Sequence, residues 1–512
     1  MQLAAYIFPS KLLYILSFTN TNISLASEPR TANCELRTAN CELRTANCEC
    51  MAASSPLRFS VRRAKPVLVA PAAPTPRELK RLSDIDDQEG LRFQIPIIQF
   101  YRHVSSMDGR DPASVVRDAL ARSLVFYYPF AGRLREGDGR KIFVDCTGEG
   151  VLFIEADADV ELEEFGDSLQ PPFPCMEELL FDVDGSSAVL DAPLLLIQVT
   201  RLRCGGFIFA LRLNHTMADA AGLVQLMNAV GELARGAVAP RVLPVWCREI
   251  FQGKPAPTGR PSLAHREYDV VPNTNATIIP VDEMDHRSFF FGPRELAALR
   301  RLLPPHLRRA TSTFELLAAC IWRARTLALQ PTNPDEEYRI ICVVSARGHP
   351  GFDLPAGYYG NAFAFPTAVA TARELRLRPL AYAVEIVKKT KSHFSLDYLR
   401  SVADFLVAKG RPHFTVVRTY VVSDVTRAGF PDVDFGWGKA VYGGPAKGGV
   451  GAIPGVSSFF VPFVSASGEK GIVVPVCLPA AAMERFSREI ERLVGDEIGE
   501  EQRKAASIRS TL

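Results

Sequence analysis

His215 is the residue of this sequence best placed, by type and by surroundings, to move a proton. An imidazole titrates near neutral pH, so it can accept a proton from a hydroxyl or an amine. It begins a short motif that ends on a carboxylate, His215-Thr216-Met217-Ala218-Asp219. A lone histidine is more often structural than catalytic, and the alternative role for His215 is to end a strand. The choice depends on the elements around it and on a second motif later in the chain.

The motif lies where a buried strand is predicted to end and a helix to begin. Upstream, Phe207–Leu213 is short, almost wholly apolar and preceded by two glycines, a pattern typical of a buried strand. Downstream, apolar residues recur at helical spacing until Gly236, and Asp219 occupies the position of a helix N-cap. We therefore expect the main chain of His215 to be held on both sides while its side chain faces a cavity.

A second motif follows much later, and it reads Asp434-Phe435-Gly436-Trp437-Gly438. A glycine-rich stretch over 443–455 comes directly after it. Two glycines and a bulky indole suit a tight, buried loop. The pattern favours a structural role for this motif over a direct part in catalysis.

The other apolar patterns predict strands and helices that mix without strict alternation. The predicted strands are Phe93–Tyr101, Lys141–Asp145, Val151–Glu155, Leu194–Val199, Ser288–Phe291, Tyr338–Ser345, Thr415–Ser423, Phe459–Phe463 and Gly471–Val476. One predicted helix opens at Asp111, and the others are Pro293–Leu303, Thr311–Leu329, Pro379–His393, Leu396–Val407 and Ala480–Leu493. We expect an α/β fold with mixed sheets rather than a doubly wound parallel sheet.

The chain is predicted to divide into a leader and two domains of similar size. Residues 1–50 contain a seven-residue unit, Arg30-Thr31-Ala32-Asn33-Cys34-Glu35-Leu36, that then repeats. The unit is too short for a solenoid and too poor in apolar positions for a coiled coil, so we expect the leader to lie outside the fold. The alternative is a secretory or organelle address. Prolines interrupt every regular pattern over 237–261, which predicts a linker between domains 51–236 and 262–512.

Composition and charge exclude several classes of protein. Hydrophobic residues make up 47% and charged residues 23% of the chain, as in ordinary globular domains. The net charge of +2 and the absence of a basic stripe argue against a nucleic-acid partner, and no apolar run is long enough for a membrane helix. Four of the 11 cysteines lie in the leader, and the other seven are widely spaced without a CxxC pair. This indicates neither a disulfide framework nor a metal site, and it suits a reducing compartment.

The two motifs together resemble the paired signature of the plant acyl-CoA-dependent acyltransferases called the BAHD family. The resemblance covers about residues 57–495 and includes the segments 129–134 and 357–361. Within the family, the stretches 74–76, 82–89 and 93–102 are most similar to the branch that benzoylates benzyl alcohol. One departure is Ala220 after Asp219, where many members have glycine. It affects the helix start and not the proton chemistry.

The resemblance implies two domains of the chloramphenicol acetyltransferase type with a channel between them and His215 midway along it. Acyl-CoA would be a co-substrate, with no permanently bound cofactor and no metal, and His215 would act as a general base toward an alcohol. In the family the aspartate matching Asp219 points away from the histidine and pairs with an arginine, for which Arg347 is the candidate here. No covalent nucleophile is indicated, because the chain has no GxSxG, HExxH or Walker motif.

Two further pairs of residues are candidates for contacts with CoA. Ser312 and Thr313 open a predicted helix, and Ser423 with Asp424 follows a predicted strand. The alternative for both pairs is ordinary capping and turn chemistry.

Several alternatives stay open from the sequence. The acceptor could be an amine rather than an alcohol, the donor could be a carrier protein in a condensation-type enzyme, or the chain could be an inactive relative that only binds acyl groups. We expect a monomer without nucleic-acid or membrane partners. The cytoplasm is the expected location, with the peroxisome as the alternative because the terminal Ser510-Thr511-Leu512 partly matches a peroxisomal address.

Overall fold

A computed structural model describes residues 57–254, 263–271, 283–449 and 454–509. The predicted leader 1–50, part of the predicted linker and the C-terminal tripeptide lie outside the described residues. The strands are β1 (Val61–Arg63), β2 (Val67–Val69), β3 (Leu79–Arg81), β4 (Gln94–Tyr101), β5 (Arg133–Glu136), β6 (Ile142–Asp145), β7 (Val151–Ala158), β8 (Leu195–Arg201), β9 (Phe207–Asn214), β10 (Met284–Phe291), β11 (Glu337–Cys342), β12 (Val344–Ser345), β13 (Phe363–Ala364), β14 (Thr367–Thr371), β15 (Thr419–Asp424), β16 (Tyr442–Pro445), β17 (Ser457–Val464) and β18 (Lys470–Pro479). The α-helices are α1 (Pro112–Phe126), α2 (Met176–Leu179), α3 (Ala220–Ala234), α4 (Pro293–Arg301), α5 (Pro305–Ala310), α6 (Thr313–Ala328), α7 (Ala372–Leu377), α8 (Leu380–Ser392), α9 (Leu396–Lys409) and α10 (Ala480–Arg509).

The larger sheet has β9, the predicted strand that precedes His215, near its centre. Within the described ranges it has seven strands in the order β1-β7-β8-β9-β4-β16, and β2 also pairs with β7. Strands β7 and β8 are parallel, whereas β8, β9, β4 and β16 pair antiparallel. The edge strand β16 comes from far along the chain and pairs Tyr442 with Phe100 and Pro445 with Ile97. The sheet therefore joins residues from both halves of the sequence.

The second large sheet is built wholly from the later part of the chain. Its strands follow the order β10-β18-β17-β15-β11-β14 in the described ranges, and β15 pairs parallel with both β11 and β17. A short sheet, β3-β6-β5, and the pair β12-β13 complete the set described. Both large sheets contain parallel and antiparallel pairs, so the prediction of mixed sheets is confirmed. The domain boundaries stay a prediction.

Two strand predictions differ from the structure. The strand predicted over Thr415–Ser423 begins only at Thr419. The apolar stretch Tyr338–Ser345 was expected to form a single strand, but β11 ends at Cys342, and β12 pairs with β13 in a separate sheet. The division follows from pairing partners far away in sequence, because β11 lies between β15 and β14 whereas Val344 and Ser345 pair with Ala364 and Phe363. An apolar run alone does not reveal such a change of partner.

Helices cover the sheets with apolar stripes that their sequences predict. Helix α3 packs against α1, and its buried residues recur at helical spacing: Leu223, Leu226, Met227, Val230 and Leu233. Helix α6 is buried along most of its length and packs against α8 and α10. Each such buried aliphatic side chain contributes roughly 1.5–3 kcal/mol of hydrophobic free energy. No helix in the described part of the chain is both long and apolar enough to cross a membrane.

Gly222, in the first turn of α3, lets the segment 357–361 lie directly against the helix start. A Cβ at this position would lie 2.0 Å from the carbonyl oxygen of Tyr359. Any other residue would therefore push the two main chains apart. This contact brings the segment 357–361 next to the residues that follow β9.

Candidate active site

His215 directly follows β9, and its main chain is anchored on both sides. Its N–H donates to the carbonyl of Phe93 at 2.9 Å, and its carbonyl accepts from Nδ2 of Asn361 at 2.9 Å. The imidazole lies between two aromatic rings, with centroid distances of 5.4 Å to Phe93 and 6.0 Å to Phe363. The histidine is thus held at a strand end as the sequence predicts, and its ring lines a cavity.

Burial lowers the pKa of the His215 imidazole below its ordinary value. The negative charge of Asp219 acts in the opposite direction but does not outweigh the loss of hydration. A lowered histidine pKa keeps the ring neutral at neutral pH. A neutral ring is the form that can accept a proton.

Asp219 directs both carboxylate oxygens away from the proton chemistry. Its Oδ1 accepts from the N–H of Gly222 at 2.8 Å, which caps α3. Its Oδ2 accepts from Nε of Arg347 at 3.0 Å and from the N–H of Ala362 at 3.2 Å. Arg347 in turn donates to two carbonyls of the segment 358–360. The structure brings Asp219 and Arg347 together, and the pair ties the start of α3 to that segment.

The cavity beside His215 has a volume of about 400 Å³ and is lined by both large sheets. Its apolar lining includes Phe93, Ile95, Leu213, Phe363, Phe365, Phe414, Val421 and Phe459. Its polar lining includes Arg347, Ser423, Asp424 and Arg427 in addition to the histidine. Aromatic rings around a small number of polar groups are typical of sites for small apolar ligands. The cavity can therefore hold an aromatic group next to a proton acceptor.

The structure separates the two pairs of residues predicted to contact CoA. Ser423 and Asp424 line the cavity at the end of β15. Ser312 and Thr313 are not part of its lining; the Ser312 hydroxyl accepts from the N–H of Glu315 at 3.2 Å and caps α6. Capping thus accounts for the side chain of Ser312, and contact of either pair with CoA stays a prediction.

The loop Asp434–Gly438 lies away from the cavity and stabilises itself. Oδ1 of Asp434 accepts from the N–H of Gly436 at 2.7 Å and from the N–H of Gly438 at 2.8 Å. Both glycines have positive φ, 114° and 79°, which side chains disfavour. Trp437 packs edge-on against Phe207, with centroids 5.1 Å apart. No residue of this loop lines the cavity in the described part of the chain.

Asp86, Arg248 and Asn361 hold the loop of His215 through hydrogen bonds, and none of the three was predicted individually as a site residue. Asp86 is fully buried and accepts from Arg248 at 2.7 Å and from Nδ2 of Asn361 at 2.9 Å. Arg248 donates to the carbonyl of Met217 at 2.8 Å, and Asn361 donates to that of His215. Asp86 lies in a polar segment and Arg248 in the proline-rich stretch predicted as a linker, so no pattern marked either as buried. The segments 82–89 and 357–361 contribute to the family resemblance and contain Asp86 and Asn361, but the resemblance gave neither residue a role.

Comparison with known proteins places this site in context. The Transferase family model matches residues 59–493. Benzyl alcohol O-benzoyltransferase of Petunia hybrida is 65% identical over 459 residues, covering 90% of this chain and 99% of that protein. The protein of the same name from Nicotiana tabacum is 66% identical over 441 residues, covering 86% of this chain and 95% of its own. The crystal structure of vinorine synthase shares the fold, with a TM-score of 0.64 at 20% identity over 85% of this chain and 98% of that one.

Proposed function

The chain belongs to the BAHD family of transferases, and from this premise we propose that it moves an acyl group from acyl-CoA to the hydroxyl of a small alcohol. The acyl group is aromatic, such as benzoyl. One observation of the structure carries the proposal: the imidazole of His215, held at the end of β9, lines a cavity whose walls are rich in aromatic rings. Acyl-CoA is the donor co-substrate in this proposal, as the resemblance to the acyl-CoA-dependent acyltransferases implies.

In this proposal His215 is the general base. The imidazole accepts the hydroxyl proton as the alcohol oxygen attacks the thioester carbonyl, and a tetrahedral intermediate forms. The carbon–sulfur bond then breaks, and the proton passes from the imidazolium to the sulfur of CoA. The products are an ester and free CoA, and the enzyme returns to its neutral form.

The residues around the cavity support transfer without a covalent acyl-enzyme. No cysteine is among the described residues that line it. The thiols of Cys146, Cys320 and Cys342 lie elsewhere in the core, and burial raises the pKa of each to about 12. Such thiols are poor nucleophiles at neutral pH because almost none is ionised. Both substrates would therefore be bound together when the acyl group moves.

The other predicted site residues take supporting roles in this proposal. Asp219 and Arg347 hold the loop of His215. The segment Asp434–Gly438 stabilises the opposite end of β9. Ser423 and Asp424 are the candidates for contact with the pantetheine of CoA, since they line the cavity. Widely spaced free cysteines support a reducing location, the cytoplasm, and we propose a monomer.

The direct test is incubation of the purified chain with benzoyl-CoA and a panel of alcohols and amines. We expect release of CoA thiol together with benzoate esters, identified by mass spectrometry, with benzyl alcohol among the best acceptors. Amides in place of esters would instead show an N-acyltransferase. Transfer only from a benzoylated carrier protein would show a condensation-type enzyme, and saturable binding without any product would show an inactive relative.

A further inference from the structure

The buried carboxylate of Asp86 accepts an unusual number of hydrogen bonds. Its Oδ2 accepts from the N–H and the hydroxyl of Ser83, at 3.1 and 2.6 Å. Its Oδ1 accepts from Arg248 at 2.7 Å and from both the N–H and Nδ2 of Asn361 at 2.9 Å. The side chain has no exposed surface. A buried charge that is fully paired and hydrogen-bonded holds its partners in one geometry.

The partners of Asp86 pass this geometry to the loop of His215. Nδ2 of Asn361 donates at once to Asp86 and to the carbonyl of His215, and Arg248 donates at once to Asp86 and to the carbonyl of Met217. Asp86 is thus linked through one intervening side chain to the carbonyl of His215 and through another to the carbonyl of Met217. Rotation of the peptide groups at His215 would break at least one of these bonds.

Arg248 can serve as this bridge only because its surroundings fix the guanidinium. The group lies 4.5 Å from the ring centroid of Trp246 and 5.0 Å from that of Tyr359. Gly360 leaves room for it, since a Cβ there would lie 1.6 Å from one guanidinium nitrogen. The planar fork of arginine can reach Asp86 and a carbonyl together, which a lysine cannot do.

We propose that Asp86 is a positioning residue for the acyl transfer: through Arg248 and Asn361 it fixes the main chain of His215 and so the direction of the imidazole in the cavity. The inference rests on the proposed function for its kinetic consequences. Asp86 lies far from the histidine motif in sequence and does not line the cavity. Its effect is therefore on the orientation of the base and not on contact with substrate.

Asp84 offers a matched control from the same segment. It is as buried as Asp86 and is paired with Lys141 and Arg411, each at 2.8 Å, and with the N–H of Gly253 at 2.8 Å. Within the described residues, its carboxylate forms no hydrogen bond or ion pair with residues 215–219. A purely structural role for these carboxylates predicts similar consequences for both. A positioning role predicts a difference.

The test compares Asp86→Asn with Asp84→Asn. In Asp86→Asn the new amide must direct its NH₂ group toward donors on one side or the other, so one set of bonds is lost. We expect both variants to lower the melting temperature. Only Asp86→Asn should lower kcat toward benzoyl-CoA and benzyl alcohol, on the order of 10²-fold for a base displaced by about 1 Å, with KM changed less than about threefold. The acid limb of its pH–rate profile should also move to lower pH, because the charge of Asp86 helps to raise the pKa of His215.

Two further measurements keep the inference open to refutation. Arg248→Lys retains the charge but not the planar guanidinium, so it should also lower kcat. It serves as the test variant if Asp86→Asn does not fold. Hydrogen exchange of a peptide spanning 214–219 should quicken in Asp86→Asn and not in Asp84→Asn, a readout that needs no turnover. If the wild-type chain transfers no acyl group, the proposed function fails while this exchange still decides the inference. Equal exchange and equal kcat losses in the two Asp variants would overturn it.

Discussion

The two signature loops of this chain lie at opposite ends of the same strand and differ in what they face. The loop 215–219 follows the last residue of β9 and lines the cavity, whereas the loop 434–438 packs on Phe207 and Phe209 near the first residue. At ~3.3 Å per residue, the strand separates them by about 23 Å. Two motifs that are paired in the family signature therefore need not lie together in the site.

The two aspartates nevertheless use similar chemistry. Each accepts hydrogen bonds from main-chain N–H groups, and each lies near an arginine, Arg347 at 3.0 Å for Asp219 and Arg235 at 3.6 Å for Asp434. The Asp434 carboxylate accepts main-chain hydrogen bonds within its own loop, and the carbonyl of Asp434 accepts from Arg235. The Asp219 carboxylate instead accepts directly from Arg347 and from the N–H of Ala362, both far along the chain. The loops therefore differ in two respects: only 215–219 contains a histidine, and only Asp219 has a carboxylate that is hydrogen-bonded to its arginine.

The largest change in turnover is expected for His215→Ala. Loss of the general base should lower kcat at least ~10²-fold, because proton removal from the alcohol is then left to water. The melting temperature should change little, since the main-chain bonds of the residue are retained. Steady-state kinetics with benzoyl-CoA and calorimetry of the same preparation check both parts. Near-normal turnover in a folded variant would refute the assignment of the base.

A smaller loss of turnover, coupled to a loss of stability, is expected for Asp219→Asn. The amide can still cap α3, but it leaves Arg347 without its carboxylate. Breaking a buried ion pair costs ~3–5 kcal/mol, and we expect about 2–3 kcal/mol here because Arg347 keeps partial exposure.

A double-mutant cycle with Arg347→Ala tests the connection itself. The double variant should be less destabilised than the sum of the single variants, because each single change removes the same pair. Denaturant unfolding of all four proteins gives the coupling free energy. A stable but inactive Asp219→Asn would contradict this and indicate a direct partnership of Asp219 with His215.

The pH dependence of turnover should be set by His215 in the loop 215–219 and not by the loop 434–438. Burial lowers the pKa of His215, and the base must be neutral. As the pH is lowered, kcat/KM should therefore keep its plateau value past pH ~6.5, the ordinary histidine value, and decrease only at lower pH where the ring becomes protonated. Variants of the loop 434–438 should show the same acid limb as the wild-type chain. An acid limb at or above the ordinary histidine value would show that another group limits the rate.

The sequence was sufficient for the strand-to-helix junction at His215, because an apolar run followed by a capping aspartate is a local signal. It was not sufficient for β16, since Tyr442-Gly443-Gly444-Pro445 has poor strand propensity and pairs with β4 only through the tertiary fold. It also missed Asp86 and Arg248, because a charged residue in a polar or proline-rich segment looks exposed until its partner is known. The buried ion pair of Asp86 with Arg248 was therefore the least predictable part, whereas the pair of Asp219 with Arg347 was expected from the family resemblance.

The smallest effect is expected for Asp434→Asn, the direct counterpart of Asp219→Asn. The Oδ1 atom that accepts from Gly436 and Gly438 is present in both an aspartate and an asparagine. What is lost is the charge near Arg235, whose side chain is 41% exposed, and an ion pair so exposed contributes ~0–1 kcal/mol. Stability should thus fall by less than about 1 kcal/mol, and kcat should change by less than about twofold. Thermal unfolding and kinetics of the two Asn variants, measured side by side, check this. If Asp434→Asn lost as much activity as Asp219→Asn, the charge of Asp434 would act on the cavity across the whole length of β9, and the contrast between an exposed ion pair at Asp434 and a part-buried, hydrogen-bonded one at Asp219 would be wrong.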